Sequence, residues 1–502
     1  MTSQFQKIFF LLFIIVSLSY KSFAQQEKVV HLISAEKLMN AQKDDITYRK
    51  FVGDVIFKID STLFYCDTAY VNDLKNDFDA YGHIKVKMSD TLNLYGDIIH
   101  YFGDSKIANI YHNVRLVDNE TVLTTDKLKF DRVSEIASYT TGGEIVDSTN
   151  RLVSKKGFYN TKNHEVTFKE NVRIFNPDYT VTSDTLMYNT DSRIINFRGP
   201  SWIKSDENTM YSENGWYNTL SDIGQFNEKA FIDNGKQIIK GDSLYYDRKI
   251  DFAKAINNVF IKDTVKKVII TGNYSEYNSL NQYAFVTDSA QAIFLSSNDS
   301  LFLHADSLKA IFDTTNTLQK IHAHYKTKFF QKGIQGKCDS LIYNTNDSII
   351  SMYKTPILWA KDSQITADSI LIKMHEEELD YMELYKKCMI ISHDTLDDYN
   401  QIKGKYMKAF FKNNALSKIN ADGNAETIYY LRDEEMKLIG VNKSVSSSMI
   451  IRFKNNKLNW ITFIKNPKGE ALPQKDITEE QRFFKEFEWL ENKKPKNRFE
   501  IF

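Results

Sequence analysis

Ser183-Asp184-Thr185-Leu186-Met187-Tyr188-Asn189 reads as small, Asp, any residue, Leu, any residue, aromatic, Asn or Asp. The same pattern returns as Gly96-Asp97…Ile99…Tyr101, Thr125-Asp126…Leu128…Phe130-Asp131, Gly241-Asp242…Leu244…Tyr246-Asp247 and Cys338-Asp339…Leu341…Tyr343-Asn344. Weaker copies start at Cys66, Ser154, Ser212, Gly272, Ala305, Ala367 and Gly404. The aromatic slot holds Tyr101, Phe130, Tyr159, Tyr188, Tyr217 and Tyr246, each 29 positions after the last. A fixed period of this size is the mark of a repeat architecture.

A second motif falls between the copies. Gly53-Asp54-Val55-Ile56-Phe57, Gly82-His83-Ile84-Lys85-Val86, His112-Asn113-Val114-Arg115-Leu116, Glu170-Asn171-Val172-Arg173-Ile174, Asn257-Asn258-Val259-Phe260-Ile261 and Gly423-Asn424-Ala425 all place a turn pair before an alternating run. Ile84, Val86 and Met88 point one way, and Lys85 and Lys87 the other. Period two with β-branched and aromatic residues predicts half-buried strands. Gly, Asn and Asp before each run supply positive φ at a bend. Each module is therefore turn, strand, turn, strand, too short to bury a face alone and obliged to stack on its neighbours. The predicted fold is all-β: an elongated repeat stack of about a dozen modules over 25–430, with a cap in 431–502.

The N-terminus decides the compartment. Lys7 ends a short cationic segment, Ile8 to Leu18 is an apolar run, and Ser22-Phe23-Ala24 offers a cleavage site. Residues 1–24 read as a secretory signal peptide with the mature chain starting at Gln25, because the apolar core is short for a bilayer span. No cysteine follows the cleavage site to carry a lipid anchor. Acidic and basic side chains balance at 65 each, so the basic excess that nucleic acid demands is missing.

Alternating "G-N-V" and "S-D-x-L-x-Y-N" modules in an exported chain resemble the OstA/LptA group of lipopolysaccharide-transport proteins, over roughly residues 30–430. The resemblance implies an open, V-shaped β-jellyroll or β-taco whose greasy interior carries acyl chains across the periplasm. A water-exposed acyl chain costs about 0.8 kcal/mol per methylene, so a carrier must hide several chains along its path. The inward members of the alternating runs are the lining candidates: Val55, Phe57, Ile84, Val86, Val114, Leu116, Val172, Ile174, Val259 and Ile261. The same residues would serve equally as a closed, dry core. The implied partners are lipopolysaccharide and other bridge components, in the periplasm or in association with the outer membrane. The module count exceeds that of the single-domain bridge protein, and no segment is long enough for the barrel of the outer-membrane member.

Catalysis and metal binding find little support. Asp67, Asp97, Asp126, Asp184, Asp242, Asp306, Asp339 and Asp368 share one slot, but Lys155, Glu213, Asn273 and Lys405 occupy it too. A ligand position would not accept lysine, so the slot is expected to cap turns by bonding nearby backbone N–H groups. His322 and His324 lack a third ligand at useful spacing. No G-x-S-x-G elbow occurs, and Glu376-Glu377-Glu378 reads as a solvated face. Neither a cofactor nor a metal is expected. The rivals are a structural or adhesive envelope solenoid and, less well supported, a β-helical polysaccharide-active enzyme. Cys66 and Cys338 replace small residues in one repeat position, which suggests buried thiols rather than a disulfide; Cys388 has no evident partner.

The C-terminal end departs from the repeat. Met449–Phe453 and Leu458–Phe463 flank Asn455-Asn456 as a hairpin. Thr478 and Gln481 have capping-box spacing, and Phe483, Phe484, Phe487 and Leu490 would share one helix face. Residues 441–495 are thus expected to seal that end of the stack. Val29-Val30-His31-Leu32-Ile33 is the first apolar, alternating stretch, so the N-terminal edge, with Val30 and Leu32, is expected to dock a partner strand. Thirteen "G-N-V"-type starts of one or two layers each, ~4.8 Å apart, give roughly 60–125 Å of stack. A compact chain of this length has a radius of gyration near ~23 Å, and solution scattering should return a larger value.

Overall fold

A computed structural model describes residues 30–502, apart from 44–45, 73, 207, 297–298, 376–377, 396, 413–414 and 455–456. The expected signal peptide, Val29, Glu376-Glu377 and the Asn455-Asn456 turn lie outside the described residues. The rest is almost entirely antiparallel strand, commonly 10–12 residues long, and within each stack a strand such as Leu92–Phe102 is hydrogen-bonded to the strand before and the strand after. The all-β repeat stack read from the sequence is the fold of the chain.

The "G-N-V" motif is a corner. His112 and Asn113 take φ of 62° and 51°, and Glu170 and Asn171 take 63° and 58°. Tyr111 pairs with Lys127 and Val114 with Thr125, so two residues of one strand oppose one of the next. This is a β-bulge, and it folds each strand into two arms. It also explains the burial of Glu165–Phe175: Val166 and Phe168 face inward on one arm, Val172 and Ile174 on the other. The final Asn or Asp of the template caps the turn that follows. Asn218 Oδ1 accepts the N–H groups of Leu220 and Ser221, both at 2.9 Å. Successive turns are also tied together, with Thr190 N–H donating to His164 O and Thr219 N–H to Arg193 O, both at 3.0 Å.

Contacts divide the chain into two compact units. Unit 1 is 1–177 with 189–191; unit 2 is 178–188 with 192–502. In unit 2 the strand Ala415–Arg432 continues into Leu438–Lys454 as an ordinary antiparallel pair. Leu438–Lys454 then pairs with both Lys457–Ile464 and Lys468–Pro473. The expected C-terminal hairpin is therefore present.

The expected helix is cut to a single turn. Thr478 and Gln481 do form a capping box, but the helix it starts spans only Glu479–Arg482. Phe483 is extended (φ −136°, ψ 149°), so Phe483, Phe484, Phe487 and Leu490 do not form a helix face. Phe483 and Phe487 instead gather with Trp489 around the strand residue Tyr399, 5.3 Å from Phe487 and 5.1 Å from Trp489 between centroids, and Phe484 packs on Ile428, Tyr430 and Val441. Tertiary contact with the strands outweighs the helical spacing of these residues, which no longer than one turn could stabilise alone.

Cys66, Cys338 and Cys388 are each buried with free thiols. Burial disfavours the thiolate and pushes all three pKa values up to about 12. Alkylation by iodoacetamide at neutral pH should therefore be negligible until denaturant is added, as read by mass spectrometry. Rapid labelling of the folded protein would show that these corners open.

Candidate functional site

The candidate site is the inner face between the two arms, and it differs along the chain. In unit 1 the arms touch. Phe57 and Phe64 on one arm meet Phe78 on the other, with ring centroids 4.6 and 5.2 Å apart. Phe78 also stacks on Tyr101 at 5.1 Å. The mouth is bridged as well. Arg132 donates to the Tyr101 hydroxyl at 3.1 Å and, across the gap, to Asp60 and Thr62, both at 3.3 Å. The Tyr159 hydroxyl donates to the buried Asp118 carboxylate at 2.7 Å, and His164 Nε2 lies 3.7 Å from it. Burial first, and then Asp118, raises the Tyr159 pKa, so the phenol stays a proton donor. Unit 1 has a filled interior.

Unit 2 is filled less tightly between the strands Thr209–Asn218 and Leu301–Phe312. One arm presents Ile232, Ile239, Ile261 and Ile270 inward in one continuous register row. Facing rows on the other arm carry Tyr217, Tyr246 and Tyr277, alternating with Gly224, Ala253 and Ala284. All of these except Gly224 are only partly buried. The cause is visible in the sequence. Where unit 1 packs Phe57, Phe64, Phe78 and Phe168 inward, this stretch supplies Ala253, Ala255, Gly272, Ser275, Ala284 and Ala310. Side chains of that size cannot fill the space between two arms at native packing density.

The ten lining candidates separate accordingly. Val55, Phe57, Ile84, Val86, Val114, Leu116, Val172, Ile174 and Val259 are all buried, at 0–3% exposure. Ile261 alone of the ten is part-exposed. The structure brings Ile261 opposite Ile239 and Ile270. The part-exposed Ile232, Ile239, Ile270, Tyr217, Tyr246 and Tyr277 were not among the candidates. The three tyrosines occupy the aromatic slot of the repeat, a signal that already marked the row.

The repeated Asp slot does something other than cap turns. It is the single residue opposite the bulge, and its side chain meets a bulge side chain of the neighbouring strand. Asp97 accepts from Asn113 Nδ2 at 2.7 Å, Asp67 pairs with His83 at 2.8 Å, and Asp242 accepts from Asn258 at 3.0 and 3.1 Å. Where the slot holds lysine the polarity reverses, with Lys155 Nζ 3.0 Å from Glu170. At Lys405 the partner is Gly423, whose missing Cβ would lie 2.8 Å from the lysine stem. Asp184 accepts only from its neighbour Thr185 among the bonds described. Exposed pairs of this kind are worth about 0–1 kcal/mol. Glu170 also pairs with Lys156, so in a Lys156→Ala background Lys155→Glu should lower stability by about 1 kcal/mol or less, and adding Glu170→Lys should recover most of it. A double variant no more stable than the single one, measured by urea unfolding, would remove the pairing.

The edges complete the geometry. In unit 1, His31–Ser34 and Lys37–Lys43 pair on one side only among the described residues, with Ile46–Ile59. Leu32 and Ile33 are exposed, whereas Val30 is buried and precedes the strand. In unit 2, Lys457–Ile464 and Lys468–Pro473 likewise pair on one side only among the described residues. Trp460, Phe463 and Ile464 are exposed there. Among the described residues no further strand pairs with that C-terminal edge, and the segment 479–490 runs along other strands. Among the described residues no cluster of three or more His, Cys, Asp or Glu could hold a metal ion, and no helix is long and apolar enough to cross a membrane.

Comparison with known proteins places two stretches. Residues 27–184 match the family described as OstA-like protein. Residues 296–378 match the family described as LptA/(LptD N-terminal domain) LPS transport protein. No curated protein matches. Among solved structures, LptH of Pseudomonas aeruginosa, described as the LptA homologous periplasmic component of the lipopolysaccharide transport device, is 12% identical. That match covers 21% of this chain and 81% of the other, with a TM-score of 0.20.

Proposed function

From a chain that is OstA/LptA-like over 27–184 and 296–378, we propose a periplasmic lipopolysaccharide-transport protein that shields acyl chains in the interior of unit 2. One observation carries the location: the row Ile232, Ile239, Ile261 and Ile270 is apolar, inward-facing and still partly open to solvent. The facing tyrosines suit a boundary, with an apolar ring toward the lipid and a hydroxyl toward water. The filled interior of unit 1 serves as scaffold. The exposed strand edges, with Leu32 at one and Trp460 at the other, support joining to further transport components by strand addition.

The test is photo-crosslinking in cells. A photoreactive residue at 261 or 270 should give a lipopolysaccharide adduct, and one at 57 or 86 should not. Adducts of equal yield at 57 and 86 would move the lipid into unit 1. No adduct at any of the four would remove lipid carriage. Replacing Leu32 with proline deletes one edge N–H and should abolish partner capture without unfolding the protein. Unchanged co-purification with envelope components would clear that edge of the role.

A further inference from the structure

The C-terminal tail of unit 2 has no part in the reading above, yet its seat is highly specific. Register places Phe302, Phe330, Gln335, Trp359, Gln364, Ile391, Gln401 and Ile428 in one row across eight neighbouring strands. Leu358 and Ile365, next to Trp359 and Gln364, belong to the inner core, so this row faces outward. Outward positions of a stack are ordinarily polar and wet. Here Trp359, Gln364, Ile391, Gln401 and Ile428 are 0–1% exposed.

The tail covers them. Gln401 donates to Arg482 O and accepts from Phe484 N–H, both at 2.9 Å. Gln364 donates to Glu488 O at 2.8 Å and accepts from Leu490 N–H at 2.7 Å. Each glutamine thus holds the tail backbone by both faces of its amide, as a neighbouring strand would. Arg482 pairs with Asp398 at 2.7 Å, and the same carboxylate also meets Arg432. Lys403 pairs with Glu486 at 2.8 Å, and Leu490 packs on Ile357 and Trp359. At the far end Lys328 donates to Glu500 O and Phe502 O at 3.2 and 3.0 Å. The tail is a strap laid along the outside of one arm, across layers that otherwise touch only their neighbours.

The interior is tighter beneath the strap. Under it Leu358, Ile370, Met382, Leu384 and Met407 are 0–1% exposed, while Tyr343, Ile350 and Ile402 stay partly buried. The partly open row Ile232–Ile270 lies on strands that the strap contacts do not reach. We propose that the strap is a gate: seated, it presses the outer arm of residues 328–412 inward and closes the groove there; released, it lets the open groove extend along these strands. This rests on the acyl-chain reading only for what would enter the groove, not for the movement itself.

Spin labels on Asn346→Cys and Lys361→Cys, in turns at the ends of the two arms, read the gap. In the full chain the distance should be short and narrowly distributed. Gln364→Leu with Gln401→Leu removes the strap's backbone partners and leaves the wall apolar. The distribution should then shift to longer distances, and uptake of the apolar dye 1-N-phenylnaphthylamine should rise. An unchanged distance overturns the gate. A lengthened distance without added dye supports the gate and counts against acyl binding. Should the double variant not fold, Lys403→Cys with Glu486→Cys can pin the strap by a disulfide. Pinned and reduced forms should differ in dye uptake, the pinned form lower, and equal uptake overturns the proposal.

Discussion

Phe78→Ala should cost unit 1 about 3–5 kcal/mol, in the range for deleting a buried aromatic ring. Phe78 is 1% exposed and touches Phe57, Phe64 and Tyr101, so its removal leaves a cavity where the two arms meet. Surrounding strands cannot collapse to fill it, because their spacing is fixed by the backbone ladder. Urea unfolding, with hydrogen exchange to assign the loss to residues 46–139, measures it. Ile261→Ala in unit 2 should cost roughly 1–2 kcal/mol, since that side chain already keeps part of its surface in water. Equal losses at the two positions would mean that the units are equally closed, and the assignment of scaffold and groove would fail.

Trp359→Ala should cost a similar ~3–5 kcal/mol and free the tail. Trp359 is fully buried beneath Leu490, on the outer side of an arm. Its indole N–H has no hydrogen-bond partner among the described residues. Trp359→Phe therefore leaves no acceptor unsatisfied and should lose only volume, roughly 1–2 kcal/mol. Limited trypsin digestion offers an independent readout. Cleavage after Lys485 should be fast in the alanine variant and slow in the phenylalanine variant. A strap equally resistant in both would show that Trp359 does not anchor it.

Most of the fold was legible because the repeat repeats its physics. The aromatic slot at 29-residue steps faces inward within each unit, and the turn pair before each valine is the bulge that makes the corner. The partner of the Asp slot was missed because it lies on the next strand, 15–20 residues on, beyond the reach of a turn-capping argument. The lysine at 155 facing a glutamate at 170 was the available clue, a swap of charge with the pairing kept. The open row was half visible: alanines and glycines cluster inward between 253 and 310, but nothing in the alternation separates a thinly filled interior from a densely filled one. The tail was misread for a different reason. Phe483, Phe484, Phe487 and Leu490 have helical spacing, and the capping box before them is real. What holds them extended are Gln364 and Gln401, more than 80 residues away, and no local pattern encodes a bond at that separation.

The paired left-handed residues at each corner set the grain at which such a chain can change length. Inserting or deleting one residue within a strand turns its apolar side chains to the solvent face beyond that point. Duplicating one whole module adds a corner, two arms and a capped turn, and both new surfaces meet surfaces of their own kind. Gene-level gain or loss of about 29 residues is therefore close to silent for folding, whereas smaller steps are purged. A lineage can therefore lengthen or shorten this chain by whole modules while leaving the contacts of the other modules in place, provided the change falls outside the strapped strands, where the tail measures distance.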